Sequence, residues 1–357
     1  MLDKILITFG LTPSDYKVEP FGPGLINHTF KVSGHNRDYI LQQINVNVFK
    51  SPGLIAKNLA LLQAYLNKKQ PDYLFVAPIP TISGDLLAKL ALGEIFRLFP
   101  FIKDSRTVNF ISGEKEAFEA AKQFGRFTRL LKDFDSSKLE YTVTDFHNLK
   151  LRFEQFKISY QNAQRERLDE AANEIKEVYN YYDILQTYNQ LIENKEIPLR
   201  VIHHDTKISN VLFDNEQNGL CVIDLDTVMP GYYLSDVGDM MRTYLSPANE
   251  EEADLSKIQI RENIFSAICK GYLSEMGNVL TDAEKNYFIF SGKLMIYMQA
   301  IRFLADFLNN DIYYGSEYPG HNLTRAKNQF KLLEEYIKAG EKFKRLLTEA
   351  QQKTTNQ

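Results

Sequence analysis

The sequence predicts an α+β fold of two lobes, a small N-terminal antiparallel sheet plus one helix and a larger, mostly helical C-terminal lobe. Three observations carry that expectation. Residues 1–102 alternate short apolar runs with glycine- and proline-containing turns; from Ser112 onward apolar residues recur at helical spacing; and a polar stretch from Val201 to Asp226 lies among short apolar runs. At 357 residues the chain is long enough for two cores. The lobes read as 1–102, with a hinge near 100–103, and 103–347, followed by a polar tail, 348–357, expected to be disordered.

Composition narrows the class. With 44% hydrophobic residues, 25% charged residues and a net charge of -4, the chain reads as globular, with no signal for nucleic acid or an anionic membrane as a partner. Cys221 and Cys269 stand far apart in apolar surroundings without metal-ligand spacing, which predicts reduced core thiols in a cytoplasmic protein. The N-terminus shows no basic region followed by an uninterrupted apolar run, and no segment reads as long enough to span a bilayer.

In the first lobe, Phe21 to Val32 reads as a strand, a turn at Gly22-Pro23-Gly24 and a returning strand, with Tyr39 to Asn45 as the next strand. Ser51-Pro52 introduces a helix over 53–68, whose Leu54, Ile55, Leu59, Leu62 and Leu66 share a face. Phe75 to Pro80, Leu86 to Ala88 and Ile95 to Phe99 continue the strand pattern around a Ser83-Gly84-Asp85 turn. Phe99-Pro100-Phe101-Ile102 then marks either the crossing between lobes or a buried strand end.

The second lobe opens with helical spacing over Glu114 to Lys132. A linker holding His147, read as a helix-entry or packing residue, leads to one or two long, highly charged helices over Leu151 to Glu193, whose charges read as a solvated face. Beyond Asp226, Ser235 to Arg242 opens a helix in which Asp236 can cap and Asp239 can brace the polar stretch. Further helices are expected over Ile258 to Met276, from a capping box at Thr281 to Glu284 through Asp306-Phe307, and over His321 to Leu347.

The polar stretch carries the chemistry. Val201-Ile202-His203-His204-Asp205-Thr206-Lys207-Ile208-Ser209-Asn210 has the H-x-D-x-x-x-x-N spacing of a kinase catalytic loop, and Val222-Ile223-Asp224-Leu225-Asp226 follows as a metal-binding strand end. Phosphoryl transfer asks for placement and charge compensation more than for covalent chemistry. Asp205 is placed to take the acceptor's proton, and His203 to hold the loop. Lys207 is placed to neutralise charge on the transferred group, and Asn210 and Asp224 to hold Mg2+. Asp226 either assists the metal or braces the loop. The alternative, an ordinary turn capped by its own side chains, is countered by the strands on either side of Asp214 to Gly219, which return Asp224 beside the loop. In that context the Gly22-Pro23-Gly24 turn gains a role covering the phosphates of ATP, and Pro100, Phe101 and Ile102 a role in receiving adenine on backbone groups.

With these residues in hand, the chain resembles the aminoglycoside phosphotransferase and choline kinase group, with its two-lobed protein-kinase-like fold. Within that group it is similar to the N-acetylhexosamine 1-kinases. The broad resemblance rests on His203-x-Asp205 to Asn210 and Ile223-Asp224-Leu225-Asp226. The narrower one rests on Gly24 to Phe30, Tyr39 to Asn45, Asp224 to Gly231 and Asp236 to Arg242. It implies transfer of a phosphoryl group from ATP to the anomeric hydroxyl of a small-molecule sugar, an N-acetylhexosamine, with Mg2+ as the ion. Gly24, Asn27, Thr29 and Gln42 then contact nucleotide, and Asp205, Thr227, Arg302 and Tyr313 the sugar. Gln42 stands where many kinases carry a phosphate-gripping lysine, so charge must come from Lys207 and the metal. For Arg302 the competing reading is a surface arginine paired with Asp306 at i+4. Competing functions are a kinase of another small alcohol, such as choline or an aminoglycoside, and a nucleotide-binding pseudokinase.

Overall fold

The computed structural model describes residues 2–22, 27–90 and 93–355. The chain divides into two compact units: Met1–Arg106 with Asp133–Thr144 and Leu212–Pro230, and Thr107–Lys132 with Asp145–Val211 and Gly231–Gln357. The fold is α+β, an antiparallel sheet with helices in the first unit and a mostly helical second unit, as the sequence predicts.

The first unit is built on strands β1 (Tyr16–Pro20), β2 (His28–Gly34), β3 (Tyr39–Gln43), β4 (Ala88–Lys89) and β5 (Ile95–Pro100), in the antiparallel order β1-β2-β3-β5-β4. The strand expected at the start of Phe21 to Val32 lies earlier, at Tyr16–Pro20, paired from Tyr16 opposite Gly34 to Pro20 opposite Phe30, with Phe21 N–H adding one bond to Thr29 C=O at 2.9 Å. Phe75 to Pro80 forms no strand beyond a bridge from Ile79 to Leu98. Helix α1 (Leu2–Thr8) packs Ile5 and Leu6 against Val32, Leu41, Phe96 and Leu98. Helix α2 (Pro52–Lys69) starts at the proline, where a missing N–H costs nothing, and buries Ile55, Leu59, Leu62 and Leu66.

The second unit contains α3 (Glu114–Leu130), α4 (Leu149–Asn162), α5 (Arg165–Glu170), α6 (Ala172–Asn180) and α7 (Tyr182–Glu193). Four shorter helices therefore occupy the stretch expected to hold one or two. Strand β6 (Arg200–Ile202) leads to the polar stretch, and β7 (Val211–Phe213) and β8 (Gly219–Val222) pair as the expected hairpin, followed by β9 (Met229–Gly231). Then come α8 (Tyr233–Tyr244), α9 (Glu262–Met276), α10 (Asp282–Asn286), α11 (Phe288–Leu308), α12 (His321–Lys338) and α13 (Gly340–Thr355). The capping box at Thr281 and Glu284 starts α10 as the sequence predicts, but the single helix expected through Phe307 is interrupted at Tyr287, between α10 and α11. Helix α13 continues to Thr355, so most of the tail expected to be disordered is helical.

Helix α11 is the centre of this unit. Its 21 residues are long and apolar enough to cross a membrane by length and composition, contrary to the sequence expectation, yet 72% of its apolar window is buried inside the protein. It packs against α8, α4 and α12, so its apolarity is that of a core helix. Gly238 lets α8 lie directly on it, since a Cβ there would fall well inside contact with the Ser291 carbonyl oxygen. Cys221 and Cys269 are buried and free.

Candidate active site

In the second unit the loop after β6 is held from beneath by α8. The Asp236 carboxylate accepts the backbone N–H of His203 at 2.9 Å and of His204 at 2.7 Å. One turn on, Asp239 Oδ2 accepts Thr206 N–H at 2.9 Å, and the Tyr244 hydroxyl donates to Thr206 C=O at 2.6 Å. His204 carries a φ of 68°, an uncommon backbone state for a non-glycine residue, retained because these anchors over-determine the loop. Asp236 is therefore an anchor of the loop and not the cap of α8, whose N-cap position falls on Tyr232. Burial pushes its carboxyl up to about 6, against the opposing pull of His203 and the two backbone donors. Arg242 in turn grips Asp239 at 3.1 Å and Glu250 at 2.7 Å.

On this platform the structure brings Asp205, Lys207, Asn210 and His203 together. Asn210 Nδ2 donates to Asp205 C=O at 2.9 Å and Oδ2 at 3.0 Å, and Lys207 Nζ lies 3.1 Å from the same oxygen. His203 Nδ1 accepts the Asp205 N–H at 3.3 Å, and its buried ring packs edge-on against Phe124. Burial pulls the Asp205 carboxyl up, but Lys207, His203 and Asn210 outweigh it and hold the group below its ordinary value. A carboxylate so held is ionised at neutral pH.

A second cluster of the same unit surrounds Arg302 on α11. Its guanidinium lies 5.9 Å from the Phe146 ring centroid, 6.0 Å from Tyr313 and 5.6 Å from Tyr314, and Nη1 donates to Gln299 Oε1 at 3.3 Å. Asp306 does not pair with it: that buried carboxylate accepts Tyr313 N–H at 2.7 Å, Tyr314 N–H at 2.9 Å and Asn322 Nδ2 at 3.1 Å. The i+4 ion pair is thus replaced by a loop anchor that fixes both tyrosines. Tyr313 is 71% exposed. His147 stacks on Phe146 at 4.3 Å, and burial together with His204, Arg302, Arg152 and Arg242 holds its pKa well below the ordinary range, leaving it neutral.

The first unit brings together Asn27, Thr29, Gln42 and Asp226 through a residue that sequence reasoning missed, Arg97. Arg97 Nη2 donates to Asp226 Oδ2 at 2.8 Å, Nη1 pairs with Oδ1, and Nε and Nη2 donate to Gln42 Oε1 at 3.1 and 2.9 Å. Gln42 Nε2 donates to Thr29 Oγ1 at 3.2 Å, and Asn27 Nδ2 to Asp226 Oδ2 at 3.3 Å. The signal available in the sequence was one charged residue inside the apolar run Ile95 to Phe99. Asp224 is exposed at φ 59°, ψ 56°, while Thr227 is buried in the adjoining turn Leu225–Thr227.

At the expected hinge, Phe101 N–H donates to Asp38 C=O at 3.1 Å, and its ring meets Phe21 edge-on at 6.2 Å. Ile102 C=O accepts the Ser105 hydroxyl at 2.6 Å, and Pro100 closes β5 opposite Tyr39. Gly24, expected over the phosphates, lies outside the described residues. Among the described residues no group of three or more His, Cys, Asp or Glu is placed to hold a metal. Asn210 turns Nδ2 to Asp205, so Oδ1 is the atom with which it could hold a metal.

A family model described as the phosphotransferase enzyme family matches residues 17–262. Among solved structures, a spectinomycin phosphotransferase in complex with ADP and spectinomycin is 15% identical, with 94% of this chain and 96% of that chain covered and a TM-score of 0.59. An amicoumacin kinase in complex with AMP-PNP, Ca2+ and its substrate is 15% identical, with 94% and 92% covered and a TM-score of 0.62. A microcompartment-associated aminopropanol kinase is 14% identical, with 96% and 97% covered and a TM-score of 0.64.

Proposed function

We propose that this chain, which belongs to the phosphotransferase enzyme family, is a cytoplasmic small-molecule kinase that transfers the γ-phosphoryl group of ATP to the anomeric hydroxyl of an N-acetylhexosamine. The observation that carries the choice of acceptor is Arg302. It is ringed by Phe146, Tyr313 and Tyr314, its hydrogen-bond partner is the neutral Gln299, and the nearby Asp306 is committed to backbone donors. A guanidinium there donates a fork of hydrogen bonds to sugar hydroxyls or an acetamido oxygen. An ammonium brought within about 5 Å would be repelled by about 3 kcal/mol at an effective dielectric near 20, roughly a hundredfold in affinity. Aromatic rings that would otherwise cage a choline-like cation are thus occupied by a fixed cation. The three structural relatives are named for spectinomycin, amicoumacin and aminopropanol, so the shared fold does not itself choose the acceptor.

In this reading Asp205 receives the acceptor proton on Oδ1, because Oδ2 is taken by Asn210 and Lys207. The pair fixes the carboxylate's plane and keeps it ionised. Lys207, a compact point charge, compensates charge on the transferred group. Asn210 and Asp224 are the proposed Mg2+ ligands, and an ion held there would neutralise charge on the phosphates. For Asp226, whose carboxylate is gripped by Arg97 and Asn27, bracing is favoured over ligation. Asn27, Thr29 and Gln42 remain the proposed phosphate-covering residues, Pro100 to Ile102 the adenine hinge, and Thr227 and Tyr313 the further sugar contacts. An Asp205→Asn enzyme is expected to bind ATP as the parent does and to lose about 10²- to 10⁴-fold in turnover. Undiminished turnover would remove Asp205 from the role of base.

A further inference from the structure

Three polar side chains share one row of the sheet. Thr29 on β2 lies opposite Gln42 on β3, and Gln42 lies opposite Arg97 on β5. Antiparallel partners point to the same face, which is why their side chains meet. The row then continues into the turn after β8, where the Arg97 fork takes both oxygens of Asp226. Asn27 joins from the other side, donating to Asp226 and accepting the Asn45 N–H at 3.0 Å. Arg97 and Asp226 are each 2% exposed.

Such a pair gains little stability for its cost. Desolvating two charges consumes about what their attraction returns, and apolar residues of the same volume would serve the core as well or better. Phe96 and Leu98 point to the opposite face of β5, into the apolar cluster with Val32 and Leu41, so Arg97 belongs to the polar row and is no part of that core. What a bidentate fork supplies is direction, because it fixes the plane of the carboxylate it holds. Asp226 stands two residues after Asp224, and Asp224 is held in a left-handed backbone state that a residue with a Cβ adopts only under constraint. The buried end of this turn is clamped, and the exposed end carries Asp224.

We infer that Arg97 is a positioning residue for the metal-nucleotide: through Asp226 it sets the turn Asp224–Thr227 so that Asp224 presents its carboxylate to the divalent cation, and through Gln42 it ties that turn to β2 and β3. Its own charge is cancelled by Asp226, so it does not stand in for the missing strand lysine as a phosphate clamp. It acts on the metal ligand and leaves the phosphates to other groups. The inference rests on the ATP-dependent reading above.

Arg97→Lys keeps the charge and loses the fork; Asp226→Asn keeps the shape and loses the charge. Calorimetric titration of ADP into the full chain, with Mg2+ and with EDTA, separates the roles. In either variant the metal-free Kd stays within about twofold of the parent, while the gain in affinity on adding Mg2+ shrinks at least about tenfold, as when a residue supporting a metal ligand is lost. A Mg2+ gain equal to the parent's would overturn the inference. So would a parallel loss with and without metal, or failure of both variants to fold, since either makes the pair a support of the sheet alone. Failure of the kinase reading is distinguishable, because the parent itself would then be indifferent to ADP, and the inference would fall with it.

Discussion

Protonation of Asp236 is expected to switch off the catalytic loop near pH 6 without unfolding the protein. The carboxylate is wholly buried and accepts two backbone N–H groups, from His203 and His204, that flank the approach to Asp205. Burial raises its pKa from 3.8 to about 6. Once protonated, one of its oxygens becomes a hydroxyl, so one of the two buried N–H groups keeps only a much weaker acceptor, at a cost of about 1–3 kcal/mol. If that cost is felt in placing Asp205, turnover falls about 5- to 150-fold. The stability effect has the opposite sign. A folded-state pKa above the unfolded value means that the folded chain binds the proton more tightly, so Asp236 is a burden above about pH 6 and is relieved as pH falls toward 3.8. A rise from 3.8 to about 6 corresponds to about 3 kcal/mol. The assay is a pH–rate profile from pH 4.5 to 8 with saturating substrates, beside urea denaturation over the same range. The parent is expected to show an acid limb near pH 6, and an Asp236→Asn enzyme a low and flat rate. A rate that stays level down to pH 4.5 would refute the reasoning, since Asp205, whose carboxyl is held below its ordinary value, loses its charge only in more acid solution.

Two further perturbations test the supports of the site. Gly238→Ala is expected to lower stability by about 1–3 kcal/mol in urea denaturation, because the added methyl meets the Ser291 carbonyl where α8 lies on α11; an unchanged midpoint would contradict that close approach. Arg302→Met is expected to raise the KM for an N-acetylhexosamine about tenfold or more with the KM for ATP unchanged, and to reduce discrimination against amine-bearing acceptors; loss of ATP affinity alone would place Arg302 outside the acceptor wall.

What was legible in the sequence is what is local. His203, Asp205, Lys207 and Asn210 meet because one short loop carries them all, and the β7–β8 hairpin follows from two apolar runs around a polar turn. Asp239 as a brace was legible too, being placed on a helix face just beyond the loop. Arg97 was not, because its partners Gln42 and Asp226 are 55 and 129 residues away and depend on strand register. Asp306 misled for a related reason: helical spacing offers it to Arg302, but two tyrosine N–H groups in the following loop offer better-aligned donors and take the carboxylate. The charged stretch from Leu151 to Glu193 breaks into separate helices without a proline or glycine to mark the ends.

The most direct test is Mg2+-dependent ADP release from ATP across N-acetylglucosamine, N-acetylgalactosamine, unsubstituted hexoses, choline, an amino alcohol and an aminoglycoside, with the phosphorylated position read by phosphorus NMR. Turnover of an N-acetylhexosamine with the new phosphate on the anomeric carbon, and about a hundredfold less with the cationic acceptors, is the predicted result. Turnover of a cationic acceptor with silence on every sugar would contradict it.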